Sequence, residues 1–129
     1  MEFKLDEQMA EFCGILLGDG NLWTNGRKYE VTITGSPKDR GYMNYILRYT
    51  TKKLGQKAYY RIRGRGLRIS IYSKKMFKFL TTDAKIESGM KKAMSGTPQW
   101  IFSSKRFSRA FIRGVFDTDG SIFTSRKKE

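Results

Sequence analysis

Two acidic residues, Asp19 and Asp119, stand 100 positions apart, each followed by glycine and preceded by an apolar stretch. Residues 12–20 read Phe-Cys-Gly-Ile-Leu-Leu-Gly-Asp-Gly and residues 112–120 read Ile-Arg-Gly-Val-Phe-Asp-Thr-Asp-Gly, so a glycine lies five positions before each acid. Small residues recur at every fourth position: Ala10, Gly14 and Gly18, then Ala110, Gly114 and Thr118. That period puts them on one helical face, and a face of small residues lets two helix backbones approach closely. Two helices packed along these faces would bring Asp19 and Asp119 together at their C-terminal ends. Converging carboxylates repel one another and ask for a divalent cation. Mg²⁺ suits them, since it takes one or two carboxylates and keeps waters and phosphate oxygens. Metals so held activate water and stabilise the leaving oxygen of a phosphodiester. One such segment alone would read as a core helix stopped by an Asp-Gly turn; two in phase suggest a duplicated unit.

The elements around these acids follow from periodicity. Residues 6–18 predict a helix with Asp6 as N-cap and Met9, Phe12, Cys13, Leu16 and Leu17 as its apolar stripe. Residues 20–34 predict a hairpin turning at Asn25-Gly26. Residues 40–54 predict a helix stopped by Gly55, and a second hairpin pairs Ala58–Arg63 with Leu67–Tyr72 across Gly64-Arg65-Gly66. Ser73 caps a short helix through Leu80, residues 84–95 are a weaker helix candidate, and Ser103 or Ser104 opens a last helix through about Asp117. Hairpins in succession imply an α+β fold, an antiparallel four-stranded sheet with helices on one face. Residues 1–103 form one unit, and 104–129 hold the second motif helix and the start of another, with Ser121–Thr124 as its opening strand.

Alternation with period two assigns the sheet faces. Leu22, Val31, Ile33, Ala58, Tyr60, Ile62, Leu67, Ile69 and Ile71 point inward. The other face carries Asn21, Trp23, Glu30, Thr32 and Thr34 from the first hairpin. Lys57, Tyr59, Arg61, Arg63, Arg68, Ser70 and Tyr72 come from the second, with Arg27 and Lys28 at the first turn. A half-solvated sheet would also alternate, but arginines among Tyr and Trp supply forked donors and stacking surfaces suited to base edges and phosphates. The formal net charge of +14, from 26 Lys and Arg against 12 Asp and Glu, points the same way. Self-repulsion of that size is relieved by a polyanion, and nucleic acid leads over an anionic membrane surface. The chain has no histidine and one cysteine, Cys13, which excludes His-dependent nuclease motifs, His-ligated zinc, zinc fingers and an internal disulfide. No apolar run is long enough to span a membrane, and Met1-Glu2-Phe3-Lys4 opens no signal peptide. The expectation is a soluble intracellular protein, cytoplasmic or organellar.

The paired motifs and the element order between them resemble the LAGLIDADG homing endonucleases, in the form with two motifs in one chain. That resemblance implies a site-specific double-strand DNA endonuclease, intron-encoded, or the N-terminal part of one. It implies Asp19 and Asp119 as catalytic metal-binding acids using Mg²⁺ or Mn²⁺, with Ca²⁺ as a non-catalytic substitute. It also implies hairpins lining the major groove, with Tyr-Arg-Ile-Arg at 60–63 resembling a groove-reading strand. Asp117 occupies the motif's earlier acidic position, where the first motif has Leu17, and is not counted as a ligand. Members often carry a polar or basic pair after the second strand; here Gly35 and Ser36 stand there, leaving Lys38 as the nearest basic helper. Nine residues follow Gly120, so a second polypeptide completing the repeat, or a homodimer, is expected. Alternative readings are an RNA-binding intron maturase and an inert DNA-binding protein on the same scaffold; an acid-x-Lys nuclease element at Asp83-Ala84-Lys85 lacks a partner acid.

Overall fold

A computed structural model describes residues 3–36, 38, 40–64, 66–86 and 98–118. The first helix, α1 (Glu7–Asp19), begins where Asp6 accepts a 2.8 Å hydrogen bond from the Met9 amide, satisfying an N–H that has no partner within the helix. It runs without a connecting loop into β1 (Gly20–Thr24). The hairpin to β2 (Tyr29–Gly35) is closed by four residues, not two. Asn25 Oδ1 accepts from the amides of Arg27 (2.9 Å) and Lys28 (2.8 Å), and Thr24 Oγ1 donates to the Lys28 carbonyl. The Asn side chain thus builds the turn itself, and Gly26 takes φ +93°.

Helix α2 (Arg40–Arg48) widens over its last turn, Tyr49–Lys53, before Gly55 at φ +68° reverses the chain. Strands β3 (Ala58–Arg63) and β4 (Gly66–Ile71) follow, then α3 (Lys74–Lys78), capped by Ser73 through a 3.0 Å bond from Met76 N. Residues 84–86, expected to open a helix, are not helical, with Lys85 at φ +60°; the rest of that candidate lies outside the described residues. A tight helical turn at Gln99–Ser103 leads to α4 (Lys105–Thr118), where Ser104 Oγ accepts from Arg106 N.

The sheet is antiparallel in the order β1-β2-β4-β3, with helices over one face. Leu22, Val31, Ile33, Leu67, Ile69 and Ile71 are buried against Met9, Phe12, Leu16, Met43, Ile46, Met76 and Leu80. Two residues on the inward face are not buried: Tyr60 is 37% and Ile62 71% exposed. They lie toward the far end of β3, an edge strand of the sheet, whose first residue, Ala58, still packs against the core. Among the described residues no helix is long and apolar enough to cross a membrane.

The tightest packing joins α1 to α4. A methyl group on Gly14 would drive into the Phe111 carbonyl and come within 3.0 Å of Val115 N. A methyl on Gly114 would strike the Glu11 carbonyl and come within 2.9 Å of Ile15 N. Adding 100 to one set of partners, Glu11 and Ile15, gives the other, Phe111 and Val115, so the contact is two-fold symmetric and the repeat is physical. Ala10 and Ala110 are fully buried beside it. Gly14→Ala should therefore cost about 1–3 kcal/mol by forcing the helices apart, whereas Gly41→Ala, whose methyl meets nothing within 4 Å, should be neutral or gain up to about 1 kcal/mol of helix propensity. Urea unfolding of the two variants measures both; equal effects would contradict the packing.

Candidate functional site: a motif-helix pair beside a cationic sheet

The α1–α4 pair is parallel. Near the N-terminal ends Arg106 grips Glu7 at 3.0 Å; one turn further along α1, and two along α4, Arg113 lies 3.5 Å from Glu11. Glu11 is 7% exposed on an otherwise apolar surface. It is tolerated because the Tyr42 and Tyr45 hydroxyls donate to its two oxygens at 3.3 and 3.2 Å, while Arg113 balances its charge. This cluster ties α2 to both motif helices.

Parallel helices end on the same side, so the last turns of α1 and α4 are neighbours, five residues past the glycine crossing. Asp19 closes α1, partly buried. The chain passes straight from it into the sheet because Gly20 fits where a Cβ would sit 2.6 Å from Leu16 Cα; at φ −108° the requirement is for space, not for an unusual backbone. Thr34 Oγ1 donates to the Asp19 carbonyl at 3.3 Å, pinning the acid to the end of β2. From there one row crosses the outer face of the sheet in register: Thr34 opposite Arg68, and Arg68 opposite Arg61. The helix end thus stands at the head of a cationic row.

The outer face departs from its expected form in one respect. Asn21, Trp23, Thr34, Lys57, Tyr59, Arg61 and Tyr72 are exposed, as are Arg27 and Lys28 at the turn. Thr32 and Ser70, counted among the contact residues, are 5% and 4% exposed. They lie between Arg68 and Glu30, whose side chains approach to 3.8 Å across the two central strands and close over them. Glu30 is therefore a partner of Arg68. Arg61 directly opposite Arg68 is a like-charge pair that costs stability in the free protein, and the Arg68 Nε is buried without a hydrogen-bond acceptor. Tyr59 and Tyr72 pack ring to ring at 5.8 Å. Lys38 is exposed. Arg63 holds its place opposite Gly66; its side chain, like that of Asp117, lies outside what is described, as do Asp119 and Ser121–Thr124.

The end of α1 suits a divalent cation. A helix C-terminus carries partial negative charge, and neither α1 nor α4 has a basic residue in its last turn, although the chain as a whole is strongly basic. Among the described residues no three Asp, Glu, His or Cys side chains gather; Mg²⁺ is bound through one or two carboxylates with waters and phosphate oxygens. Cys13, fully buried, has its thiol pushed far up by desolvation and offers no thiolate.

The sheet order, the helical layer and the glycine-crossed helix pair make up the LAGLIDADG homing-endonuclease fold. By sequence the chain matches no family model and no curated protein. By structure it is similar to solved forms of the homing endonuclease I-DmoI. One, from a set of mesophilic variants, superposes with a TM-score of 0.60 at 17% identity, over 87% of this chain and 61% of its own. I-DmoI in complex with DNA and Ca gives 0.62 at 17% identity, over 91% of this chain and 59% of its own. A variant bound to nicked target DNA with Mn gives 0.62 at 17% identity, over 91% and 63%. The chain thus spans three-fifths of the length of these neighbours.

The Glu11 cluster has a pH signature. Burial, then the charge of Glu11, raises the Tyr45 pKa above its usual 10.0, and burial raises that of Tyr49 further. The native state keeps protons that the unfolded chain gives up first. The stability these two tyrosines contribute is therefore fully present below their unfolded-state pKa of about 10 and is lost as pH rises beyond it. Tyr45→Phe should lose about 1 kcal/mol at neutral pH and show a shallower alkaline decline in urea unfolding. An unchanged decline would remove Tyr45 from the cluster.

Proposed function

We propose that this chain is a metal-dependent, site-specific DNA endonuclease of the homing type, or the N-terminal part of one. The observation that carries the reading is the symmetric, parallel crossing of α1 and α4 at Gly14 and Gly114, which delivers Asp19 to the head of the arginine row. Asp119 follows α4 by the same spacing and is assigned the second place. The ion, Mg²⁺ or Mn²⁺, would supply an activated water and stabilise the leaving oxygen. The chain's own part is to hold two carboxylates at adjacent helix ends and to set the phosphodiester there by seating the sheet in the major groove. A strand ribbon fits that groove, and Arg61 and Arg68 match guanine edges. The paired Arg68–Glu30 presents both a donor and an acceptor, while Trp23, Tyr59 and Tyr72 offer apolar and stacking surface. Lys38, near the second strand's end, is assigned the role of basic helper. Ca²⁺ would support binding without cleavage. The I-DmoI complexes with DNA, Ca and Mn lend support by analogy of fold.

A second unit belongs on the outer side of α4. Ile112 and Phe116 are the counterparts, 100 positions on, of Phe12 and Leu16, which are buried in the core, yet they are 50% and 41% exposed. A further sheet, from another polypeptide or a second copy, would cover them.

The test is cleavage of a randomised-site duplex library in Mg²⁺, by this chain and by a longer form, followed by Asp19→Asn on any site found. Cleavage should fall by more than about 100-fold, beyond the cost of losing a merely supporting partner, while DNA binding persists. Joint loss of both with an intact thermal melt would contradict the assignment.

A further inference from the structure

We propose that the end of the sheet farthest from Asp19 carries a phosphate clamp, formed by Arg27, Lys28, Lys74 and Lys78 around Tyr29 and Tyr72, which grips the DNA backbone where it leaves the groove-reading face. The clamp rests on the DNA-binding reading above and adds to it a division of labour between residues.

An open concavity of about 490 Å³ lies between the first hairpin turn and the start of α3, lined by Arg27, Lys28, Tyr29, Tyr72, Ser73 and Lys74. Among the described residues no acidic one lines it. Its floor is Tyr29, held edge-on against the buried Phe77 at 5.1 Å. The ammonium groups of Lys74 and Lys78 sit over that ring at 5.8 and 5.9 Å. A cation–π contact orients an ammonium without neutralising it, and among the described residues no carboxylate pairs with either lysine. Arg68, in the middle of the sheet, is by contrast partly balanced by Glu30.

Position argues for phosphate. Tyr72 belongs both to the concavity and to the outer face, where it packs on Tyr59, so the two surfaces are continuous. Strands of this length run about 17–20 Å from the Asp19 end to the far end. That is about half a turn of B-DNA, so a sheet lying in the groove meets a sugar–phosphate ridge as its far end leaves it. Fixed, unneutralised cations suit phosphate, which needs charge and tolerates variable geometry.

The probe is a mixed-sequence B-form duplex a few helical turns long, with binding followed by anisotropy over a salt series. Lys74→Gln should reduce the slope of log affinity against log salt by about 0.9, roughly a threefold difference accumulated over a fourfold salt range. Affinity should drop alike on all sequences, Lys74→Arg should restore the slope, and adding Arg27→Gln should double the loss. Lys52→Gln, an exposed cation in the helical layer, should leave the slope unchanged. An unchanged slope in Lys74→Gln, with unaltered thermal unfolding, overturns the clamp, as does an equal effect from Lys52→Gln. Loss of binding to phosphatidylserine vesicles with no change on DNA overturns it in favour of a membrane surface. A flat salt response of the unaltered chain has a different meaning, since it defeats nucleic-acid binding itself.

Discussion

Everything in this molecule is referred to one steric condition: α1 and α4 touch backbone to backbone, and only hydrogen fits at positions 14 and 114. The consequences run outward. Helices this close in parallel must end together, and their partial negative ends then add. No side chain separates them, so ion pairs flank the crossing: Glu7 with Arg106, and Glu11 with Arg113. The buried Glu11 extends the brace to α2 through two tyrosines. The most conformationally demanding contact in the fold is therefore also the one that sets the acid.

Charge is distributed with the same logic. A chain with an excess of 14 positive charges keeps cations out of the last turns of both motif helices while placing Lys57, Arg61 and Arg68 on the open face of the sheet. Arg61 opposite Arg68 raises the energy of the free protein. Binding a polyanion would remove that repulsion, so part of the affinity in the proposed DNA contact would be stored in the unbound state. Glu30 moderates the effect at Arg68, and among the described residues no carboxylate pairs with Arg61.

Much of this was legible in the sequence. The small-residue period at 10, 14 and 18, repeated at 110, 114 and 118, specified the crossing, because a four-residue period and side-chain volume suffice to define a close helix face. The caps at Asp6 and Ser73, the choice of Ser103 or Ser104 at the last helix, and the two hairpins with their faces followed from local chemistry. What the sequence left hidden depends on lateral position or on long side chains. Alternation shows which way Ile62 faces but not that β3 lies at the sheet's edge. It places Thr32 and Ser70 outward but does not reveal that Arg68 and Glu30 reach over them. The Lys74–Tyr29–Lys78 arrangement joins residues from two elements, and no local pattern foretells it. The reason for Gly20 was also hidden, since an Asp-Gly pair suggests a turn and the structure shows a helix running straight into a strand.

The central claim is that Asp19 and Asp119 act on one shared metal zone. A double-mutant cycle on Mn²⁺ affinity, measured by the loss of free-ion paramagnetic signal in the presence of duplex DNA, tests it most directly. Asp19→Asn, Asp119→Asn and the double variant close the cycle. Convergence predicts a coupling energy of about 0.5–3 kcal/mol, because groups that share one ligand do not act independently. Strict additivity of the two losses, or Mn²⁺ binding indifferent to both, would contradict it.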